Sequence, residues 1–277
     1  MQKSWILIAV AVVVIASVGL VVVKMKQSGG FASVSTSVPV PVQKLLDQAK
    51  EYEASGDMLK AKDALNQIIS EHADYDKIED IQKQLGDMNM SIIFSKQATP
   101  QTETYQVEPG DSLGKISKMY NTTKELIKKS NHLKSDVIRV GEKLRIWKGK
   151  FTIAVSKSQK NLVLKSGDEI IKIYRIATGR DTKDNATPVG SFKIASKIAN
   201  PVWYRSGGQP IPPESPENEL GSRWMGFDTD PHYGIHGTIH PEAIGENATA
   251  GCVRMLNADV EELFDVVPIG TTVTIQE

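Results

Sequence analysis

Cys252 is the only cysteine in the 277-residue chain, so it cannot form an intramolecular disulfide. Gly251 precedes it, and His236, followed by Gly237, lies sixteen residues earlier. A cysteine nucleophile needs a base or a cation beside it, because a free thiol has a pKa of only ~8.5. His236 is the candidate base and Arg254 the candidate cation. The competing interpretation of Cys252 is a small buried hydrophobic side chain.

The residues around this pair suit the transfer of an acyl group. Gly251 leaves room for a substrate carbonyl, and backbone N–H groups around it could hold an oxyanion. Gly237 opens the space beside His236 in the same way. If residues 252–254 are extended, Cys252 and Arg254 project from the same face, where the guanidinium charge would favour a thiolate. Arg254 could equally be an ordinary surface cation.

A metal site is the competing chemistry. Four side chains could in principle bind zinc, namely Cys252, His232, His236 and His240. His236 and His240 have the H-x3-H spacing, but no glutamate follows His236 as in a helical H-E-x-x-H motif. The glycine after His236 and Pro241 also disfavour a helix there. We therefore expect no metal ion and no cofactor.

Several segments before the cysteine occur in the order found in one enzyme family. They are Ala177-Thr178-Gly179-Arg180, residues 187–192, residues 200–203, residues 218–226 and the His236 segment. With them, the C-terminal region resembles the catalytic domain of the L,D-transpeptidases, bacterial enzymes that cross-link peptidoglycan. The resemblance implies Cys252 as nucleophile and His236 as base. It also implies that Gly237, Thr238, Gly251 and Arg254 shape the site.

The chain departs from the common family pattern at Ala250. The family most often has serine-histidine-glycine-cysteine where this chain has Thr249-Ala250-Gly251-Cys252. Because the residue assigned as base is His236, we expect activity to survive, with Thr249 retaining a hydroxyl contact. His240 could replace the missing ring, although a surface histidine is the preferred interpretation of both His240 and His232.

Residues 104–147 resemble a lysin motif (LysM) domain, a small α+β module with βααβ order. Pro109-Gly110-Asp111 predicts a turn after a short strand, and Asp111 is the expected cap of a helix through Tyr120. A second helix is predicted from Thr123 to Ser130. The resemblance implies binding of N-acetylglucosamine-containing glycans. A purely structural use of the module is the alternative.

Residues 42–95 show apolar side chains three and four positions apart, which predicts helices. Two are expected to join at Gly56-Asp57, and a third covers Tyr75 to Met88. The pair resembles one tetratricopeptide-type (TPR) unit, which could bind a protein partner. A TPR-like helical spacer is the preferred interpretation.

The N-terminal residues predict a membrane anchor. Residues 5–23 carry no charge, and at ~1.5 Å per residue they could cross a ~30 Å hydrocarbon layer. Lys24 and Lys26 follow directly, and no small-x-small pair ends the apolar run, which disfavours the alternative of a cleaved signal peptide but leaves it open. We therefore predict a transmembrane helix in residues 1–26 and a linker in residues 27–41. The regions that follow resemble a LysM domain and an L,D-transpeptidase domain, both of which act at the cell wall. We therefore expect the C-terminal domains to lie outside the cytoplasm, in a bacterial cell envelope.

Residues 150–277 alternate between apolar and polar side chains in several short stretches, and Ser166-Gly167-Asp168 is a turn signal. This pattern predicts a mainly-β sandwich. Asn257 is the expected cap of a helix through Phe264. The proline-rich stretch 208–213 is expected to form a loop over the cleft. LysM and catalytic regions carry their own strand signals, so we expect separate cores.

The sequence as a whole predicts a multidomain L,D-transpeptidase. Its partners would be peptidoglycan stem peptides and glycan, and the membrane. The chain has 33 basic and 33 acidic residues, which gives no electrostatic reason to expect nucleic-acid binding. An L,D-carboxypeptidase that uses water as acceptor shares the first half-reaction and stays open. A noncatalytic wall anchor is the alternative from another class.

Overall fold

The computed structural model describes residues 38–205 and 208–277. It divides into two compact units, one ending at Met88 and the other beginning at Asn89. The predicted transmembrane segment lies outside the described residues, as does most of the linker. Within the described ranges, no helix is both long enough and apolar enough to cross a membrane.

From residue 38 onward, three helices come first: α1 (Val40–Ala54), α2 (Met58–Glu71) and α3 (Ile78–Phe94). The chain turns at Gly56, whose φ of +80° suits glycine, and Asp57 caps α2 by accepting from Lys60 N–H at 3.3 Å. The predicted helix pair is thus observed. The third helix extends past Met88 because Met90 and Ile93 are buried in the core of the second unit. One helix pair does not establish a TPR repeat, and the spacer role stays a prediction.

The LysM region has the expected βααβ order. It consists of β1 (Thr102–Gln106), α4 (Leu113–Met119), α5 (Lys124–Asn131) and β2 (Lys143–Trp147), with the two strands antiparallel. The predicted cap of the first helix is wrong. Ser112 accepts from Lys115 N–H at 3.2 Å, whereas Asp111 accepts from the Tyr105 hydroxyl at 2.7 Å and from Glu108 N–H at 2.8 Å. Asp111 therefore fixes the preceding turn instead.

The described part of the C-terminal region contains nine strands and one α-helix. They are β3 (Phe151–Ser156), β4 (Asn161–Ser166), β5 (Glu169–Gly179), β6 (Gly190–Ala199), β7 (Arg223–Phe227), β8 (Gly234–His236), β9 (Asn247–Thr249), β10 (Val253–Met255), α6 (Asn257–Val266) and β11 (Thr272–Gln276). The strand order is β10-β8-β7-β6-β11-β3-β4-β5-β9, and β10 also pairs with β5. That extra pairing closes a barrel-like sheet.

The expected two-sheet sandwich is therefore replaced by a single closed sheet. Strand β5 makes the closure, because its first part pairs with β4 and its later residues Ile176 and Ala177 pair with Met255 and Arg254 of β10. The shift in register between Leu164 and Lys165 is a bulge, and bulges increase strand bending. Closure places β10, and the cysteine before it, between β8 and β5.

The LysM region and the catalytic domain each have a core, but the two regions also touch. Leu126 of α5 belongs to the same hydrophobic cluster as the core of the closed sheet. The Thr123 hydroxyl donates to the Asp265 carbonyl oxygen, and Lys129 Nζ lies 2.5 Å from the Asp265 carboxylate. The expectation of separate cores is thus met only in part, because burial of Leu126 depends on the neighbouring domain.

Candidate active site

Two short parallel strands bring the predicted nucleophile and base together. Strand β10 pairs with β8 so that Arg254 lies opposite His236 and Val253 opposite Ile235. Cys252 immediately precedes β10 and therefore lies beside the start of β8. Its side chain is half-buried, and Sγ–H donates to the His232 carbonyl oxygen at 3.4 Å. The thiol thus lies over the chain segment that leads to His236.

His236 is held in a single orientation. Its Nδ1 lies 2.7 Å from the Gly237 carbonyl oxygen. A carbonyl oxygen only accepts hydrogen bonds, so Nδ1 carries the proton and Nε2 is left as the acceptor. The Trp224 ring stacks against the imidazole with ring centroids 6.0 Å apart. His236 is only 4% exposed, so its basic nitrogen works in a largely dry environment.

Burial sets the charge state of both groups. It raises the pKa of Cys252 to about 11, opposed by the Gly234 backbone N–H and the Arg254 charge. Burial also lowers the pKa of His236 to about 4, and the Arg254 charge lowers it further. At neutral pH the pair is therefore an uncharged thiol and an uncharged imidazole. The arrangement suits deprotonation of the thiol by the ring during attack, rather than a preformed thiolate.

Arg254 is not the surface cation of the alternative interpretation. It is only 5% exposed, and its Nη2 donates to the Glu219 carboxylate at 3.0 Å. Its buried Nε has no hydrogen-bond partner within residues 38–205 and 208–277. The charge therefore lies next to the reacting pair with one partly exposed carboxylate to balance it.

Thr249 and Gly251 form the turn that presents the cysteine. The Thr249 hydroxyl donates to the Cys252 carbonyl oxygen at 2.7 Å and accepts from Gly251 N–H at 3.2 Å. Gly251 has a φ of +116°, and a Cβ there would lie 2.4 Å from the Tyr233 ring. Glycine is thus required at this position. Because Gly251 N–H is already engaged, it is less suited to hold an oxyanion than the sequence suggested.

Asn257 is a site residue that sequence reasoning missed. It was expected to cap α6, but the cap position is Leu256, and the Asn257 side chain makes no capping bond. Instead its Oδ1 accepts from Thr238 N–H at 2.9 Å and its Nδ2 donates to Thr238 O at 2.8 Å. The sequence shows an asparagine five residues after Cys252, but it does not show that this side chain bonds to Thr238.

The long connection between β6 and β7 contacts the site through Glu219. Trp203 and Ile211 pair across it, and the buried Asn218 donates to the carbonyl oxygens of Pro201 and Pro212 at 2.9 and 3.1 Å. Glu219, which sequence reasoning gave no role, reaches Arg254 from this loop. The connection that contains the proline-rich stretch is thus joined to Arg254 by an ion pair, while the position of residues 208–213 over the cleft stays a prediction.

The other two histidines of this region are exposed, as expected. The His232 ring lies 2.8 Å from the Asp230 carboxylate, and the His240 ring lies 3.1 Å from the Glu242 carboxylate. Each ring therefore has a carboxylate partner outside the cysteine–histidine pair. In the part of the chain that the structure describes, no group of three His, Cys, Asp or Glu residues could hold a metal ion.

Comparison with known families decides the identity of this domain. Residues 150–275 match the model of the L,D-transpeptidase catalytic domain (YkuD), and residues 105–147 match the LysM domain. The chain is 34% identical over 178 residues to a Bacillus subtilis (strain 168) protein, covering 62% of this chain and 98% of that protein, which is named provisionally L,D-transpeptidase YkuD. The chain belongs to the L,D-transpeptidase family.

A second Bacillus subtilis relative, named provisionally L,D-transpeptidase YqjB, is 40% identical over 129 residues. The match covers 45% of this chain and 70% of that protein. Among solved structures, L,D-transpeptidase 3 from Mycobacterium tuberculosis aligns over 50% of this chain and 66% of its own, with 21% identity and a TM-score of 0.40. A TM-score of 0.40 is too low for this structural similarity to support the assignment. The order LysM then catalytic domain points to a peptidoglycan-binding member of the family.

Proposed function

We propose that the protein is an L,D-transpeptidase that forms a thioester between Cys252 and a peptidoglycan stem peptide. The observation that carries this proposal is the neutral pair of groups on neighbouring strands. The Nδ1 proton of His236 is held by Gly237 O, which leaves Nε2 free to accept a proton. The Arg254 charge beside both groups favours the developing thiolate.

In the first half-reaction Cys252 attacks the carbonyl carbon of the third stem residue. The thiol first turns away from the His232 carbonyl oxygen, and its proton passes to His236 Nε2 as the S–C bond forms. The C–N bond to the terminal D-residue then breaks, and the departing amine takes that proton from Nε2. The products are the acyl thioester, the free D-amino acid and a neutral imidazole.

In the second half-reaction an amine of another stem attacks the thioester carbonyl. His236 Nε2 accepts the proton that the amine loses, a new amide bond forms, and the sulfur leaves and recovers its proton. Water in place of the amine would give an L,D-carboxypeptidase with the same groups. Both outcomes require the same acyl-enzyme, so the acceptor distinguishes them.

We also propose how the protein is located. The LysM region would bind N-acetylglucosamine-containing glycan, and residues 5–23 would hold the chain in the membrane with its C-terminal domains outside the cytoplasm. Support for the anchor is the length of the uncharged segment. The helices before the LysM region would act as a spacer or receive a protein partner.

The full chain should be incubated with a defined disaccharide tetrapeptide, and the products should be identified by mass spectrometry. A cross-linked dimer with release of the terminal D-residue supports the transpeptidase. Tripeptide alone indicates the carboxypeptidase. Binding to sacculi without either product would favour the noncatalytic anchor and reject the proposal.

A further inference from the structure

One peptide unit connects His236 to Asn257. The Gly237 carbonyl oxygen accepts from His236 Nδ1–H at 2.7 Å, and the N–H on the same peptide, that of Thr238, donates to Asn257 Oδ1 at 2.9 Å. A trans peptide is planar, and its C=O and N–H point in opposite directions. Whatever fixes the Thr238 N–H therefore also fixes the carbonyl that holds the imidazole proton.

The Asn257 amide is itself held from several sides. Its Nδ2 donates to Thr238 O at 2.8 Å, and its Oδ1 also accepts from Ser222 N–H at 3.2 Å. A Cβ added at Gly237 would lie 2.2 Å from Oδ1, and one at Gly221 would lie 2.3 Å from it. Two glycines thus form the notch that admits the amide oxygen. Although Asn257 is an exposed residue, this oxygen is closely surrounded by backbone.

We propose that Asn257 is a positioning residue that sets the tautomer of His236 through the Gly237–Thr238 peptide. The inference rests on the proposed function only where it concerns turnover, because there Nε2 must be free to accept the thiol proton. The tautomer itself is a property of the folded protein. Asn257 touches neither the substrate nor Cys252 in this role.

Removing the Asn257 side-chain amide should leave the Gly237–Thr238 peptide unit free to rotate. The Thr238 N–H and the Gly237 carbonyl could then rotate together, and the imidazole would carry its proton on either nitrogen. Molecules with the proton on Nε2 cannot deprotonate the thiol. The value of kcat should therefore fall roughly 10- to 100-fold, which is no more than the lower limit of the ~10²–10⁴-fold contribution of a general base, because part of the population keeps the active tautomer. KM should change little, because no substrate contact is lost.

Asn131 provides a matched control. Its Oδ1 accepts from Arg145 N–H at 2.7 Å and its Nδ2 donates to Arg145 O at 2.8 Å, the same pairing to both backbone groups of one residue. Asn131 lies in the LysM region and is 7% exposed. Its replacement by alanine should cost at least as much stability as Asn257→Ala, because a buried pairing is lost. It should leave the tautomer of His236 unchanged.

The direct measurement is ¹⁵N NMR of the full chain with labelled histidine at pH 7, where the low pKa of His236, about 4, keeps the ring neutral. The chain has five histidines, and His236→Gln assigns the relevant signal. We expect the Nδ1–H tautomer in the wild type and in Asn131→Ala, and a mixture in Asn257→Ala. Asn257→Asp keeps an acceptor for Thr238 N–H and should retain more of the native tautomer. If Asn257→Ala does not fold, Asn257→Ser, whose hydroxyl is too short to make these bonds, takes its place.

An unchanged Nδ1–H tautomer in folded Asn257→Ala or Asn257→Ser overturns the proposal, whether or not muropeptides are turned over. A wild type with its proton on Nε2 overturns it as well. Partial or complete loss of the Nδ1–H tautomer in Asn257→Ala or Asn257→Ser supports the proposed role of Asn257, even if the wild type forms no thioester. That last combination would reject the proposed function and leave the role of Asn257 standing.

Discussion

Two buried arginines show how differently the molecule uses the same side chain. Arg145, in β2 of the LysM region, donates from Nε, Nη1 and Nη2 to the carbonyl oxygens of Gln97, Ile93 and Ile92 at 2.7, 2.9 and 3.2 Å. Among the residues that the structure describes, the Arg254 guanidinium bonds only to Glu219, and its buried Nε has no partner. All three Arg145 nitrogens bond to carbonyl oxygens at or just after the end of α3, whereas Nε of Arg254 has no partner in the described residues and lies near a nucleophile.

The difference in pairing between the two arginines is informative, because a buried donor without a partner lowers the free energy of unfolding by roughly 1–3 kcal/mol. A structural cation avoids that cost by finding neutral carbonyl partners at the end of a helix. Arg254 does not, and its charge instead acts on the pKa of both Cys252 and His236. Burial also lowers the pKa of Arg145, to about 10, so a shifted pKa alone does not mark function. An incompletely paired cation beside two groups with shifted pKa values is a stronger indication, and Arg254 lies beside Cys252 and His236.

The largest effect should come from Cys252→Ser. A hydroxyl is similar in size to a thiol but far less acidic, so acyl-enzyme formation should be abolished while the fold is kept. Mass spectrometry of the protein after incubation with tetrapeptide substrate measures acyl-enzyme formation, and thermal unfolding measures whether the fold is kept. Wild-type turnover in this variant would remove Cys252 from the mechanism. A large loss of stability would instead show that the residue has a structural role like that of Arg145.

His236→Ala should slow turnover at neutral pH by about 100-fold or more, the usual scale for a lost general base. The thiol would then have a pKa of about 11 and no nearby base. Steady-state rates at pH 7 test this, with His240→Ala as the control because its ring pairs with Glu242 at the surface. Equal losses in the two variants would show that the base has been assigned wrongly.

Exchanging the two arginines for glutamine separates their roles. Arg254→Gln should reduce kcat/KM about tenfold, the effect of roughly one pKa unit, since the thiolate loses its cation. Arg145→Gln should leave kcat/KM nearly unchanged and lower the free energy of unfolding, because helix-end carbonyls lose their donors. Arg254→Lys retains the charge and should recover part of the activity. If both glutamine variants lost only stability, the distinction between the two arginines would fail.

The dependence of stability on pH should also differ between wild type and His236→Gln. The pKa of His236 is about 4 in the folded protein, below the ordinary value of ~6.5, so the unfolded chain binds the proton more readily. Between pH 7 and pH 4 the wild type should therefore lose stability, by at most about 3 kcal/mol from this group, and the loss should level off below pH 4. Urea unfolding across that range measures it. Parallel curves for wild type and His236→Gln would mean that the ring is not held neutral.

Leu126→Ala probes the junction between the LysM region and the catalytic domain. Leu126 is buried in the same cluster as the catalytic core, so truncation should lower the free energy of unfolding by about 2–5 kcal/mol. Turnover of a soluble tetrapeptide should change little, since the residue is not in the candidate site. Ile127→Ala, which is confined to the LysM core, serves as the comparison. A fall in kcat for Leu126→Ala alone would reveal coupling between this junction and the active site.

Local patterns were enough to predict some features of this molecule. The cysteine–histidine pair, the βααβ order and four strands of the catalytic region (β3, β4, β5 and β11) follow from residue types and spacing near one another in sequence. Leu126 shows the limit, since an apolar helix residue has the same pattern whether it faces its own domain or a neighbour.

Contacts between distant segments could not be predicted in this way. Closure of the sheet depends on β5 meeting β10, and the Glu219–Arg254 pair joins residues 35 positions apart. Asn257 reaches Thr238 and Ser222 only because α6 begins beside the β8 loop. For each of these residues the sequence shows a donor or an acceptor but not its partner. A helix cap was therefore the simplest expectation for Asn257, and a surface cation was an open alternative for Arg254.

The most direct test of the account is to locate the acyl group. The wild-type chain should be incubated with disaccharide tetrapeptide, quenched in acid to preserve a thioester, digested and mapped by mass spectrometry. We predict that the disaccharide tripeptide is attached to the peptide containing Cys252, and that hydroxylamine releases it. An acyl group on any other residue, or turnover by Cys252→Ser, would contradict the account.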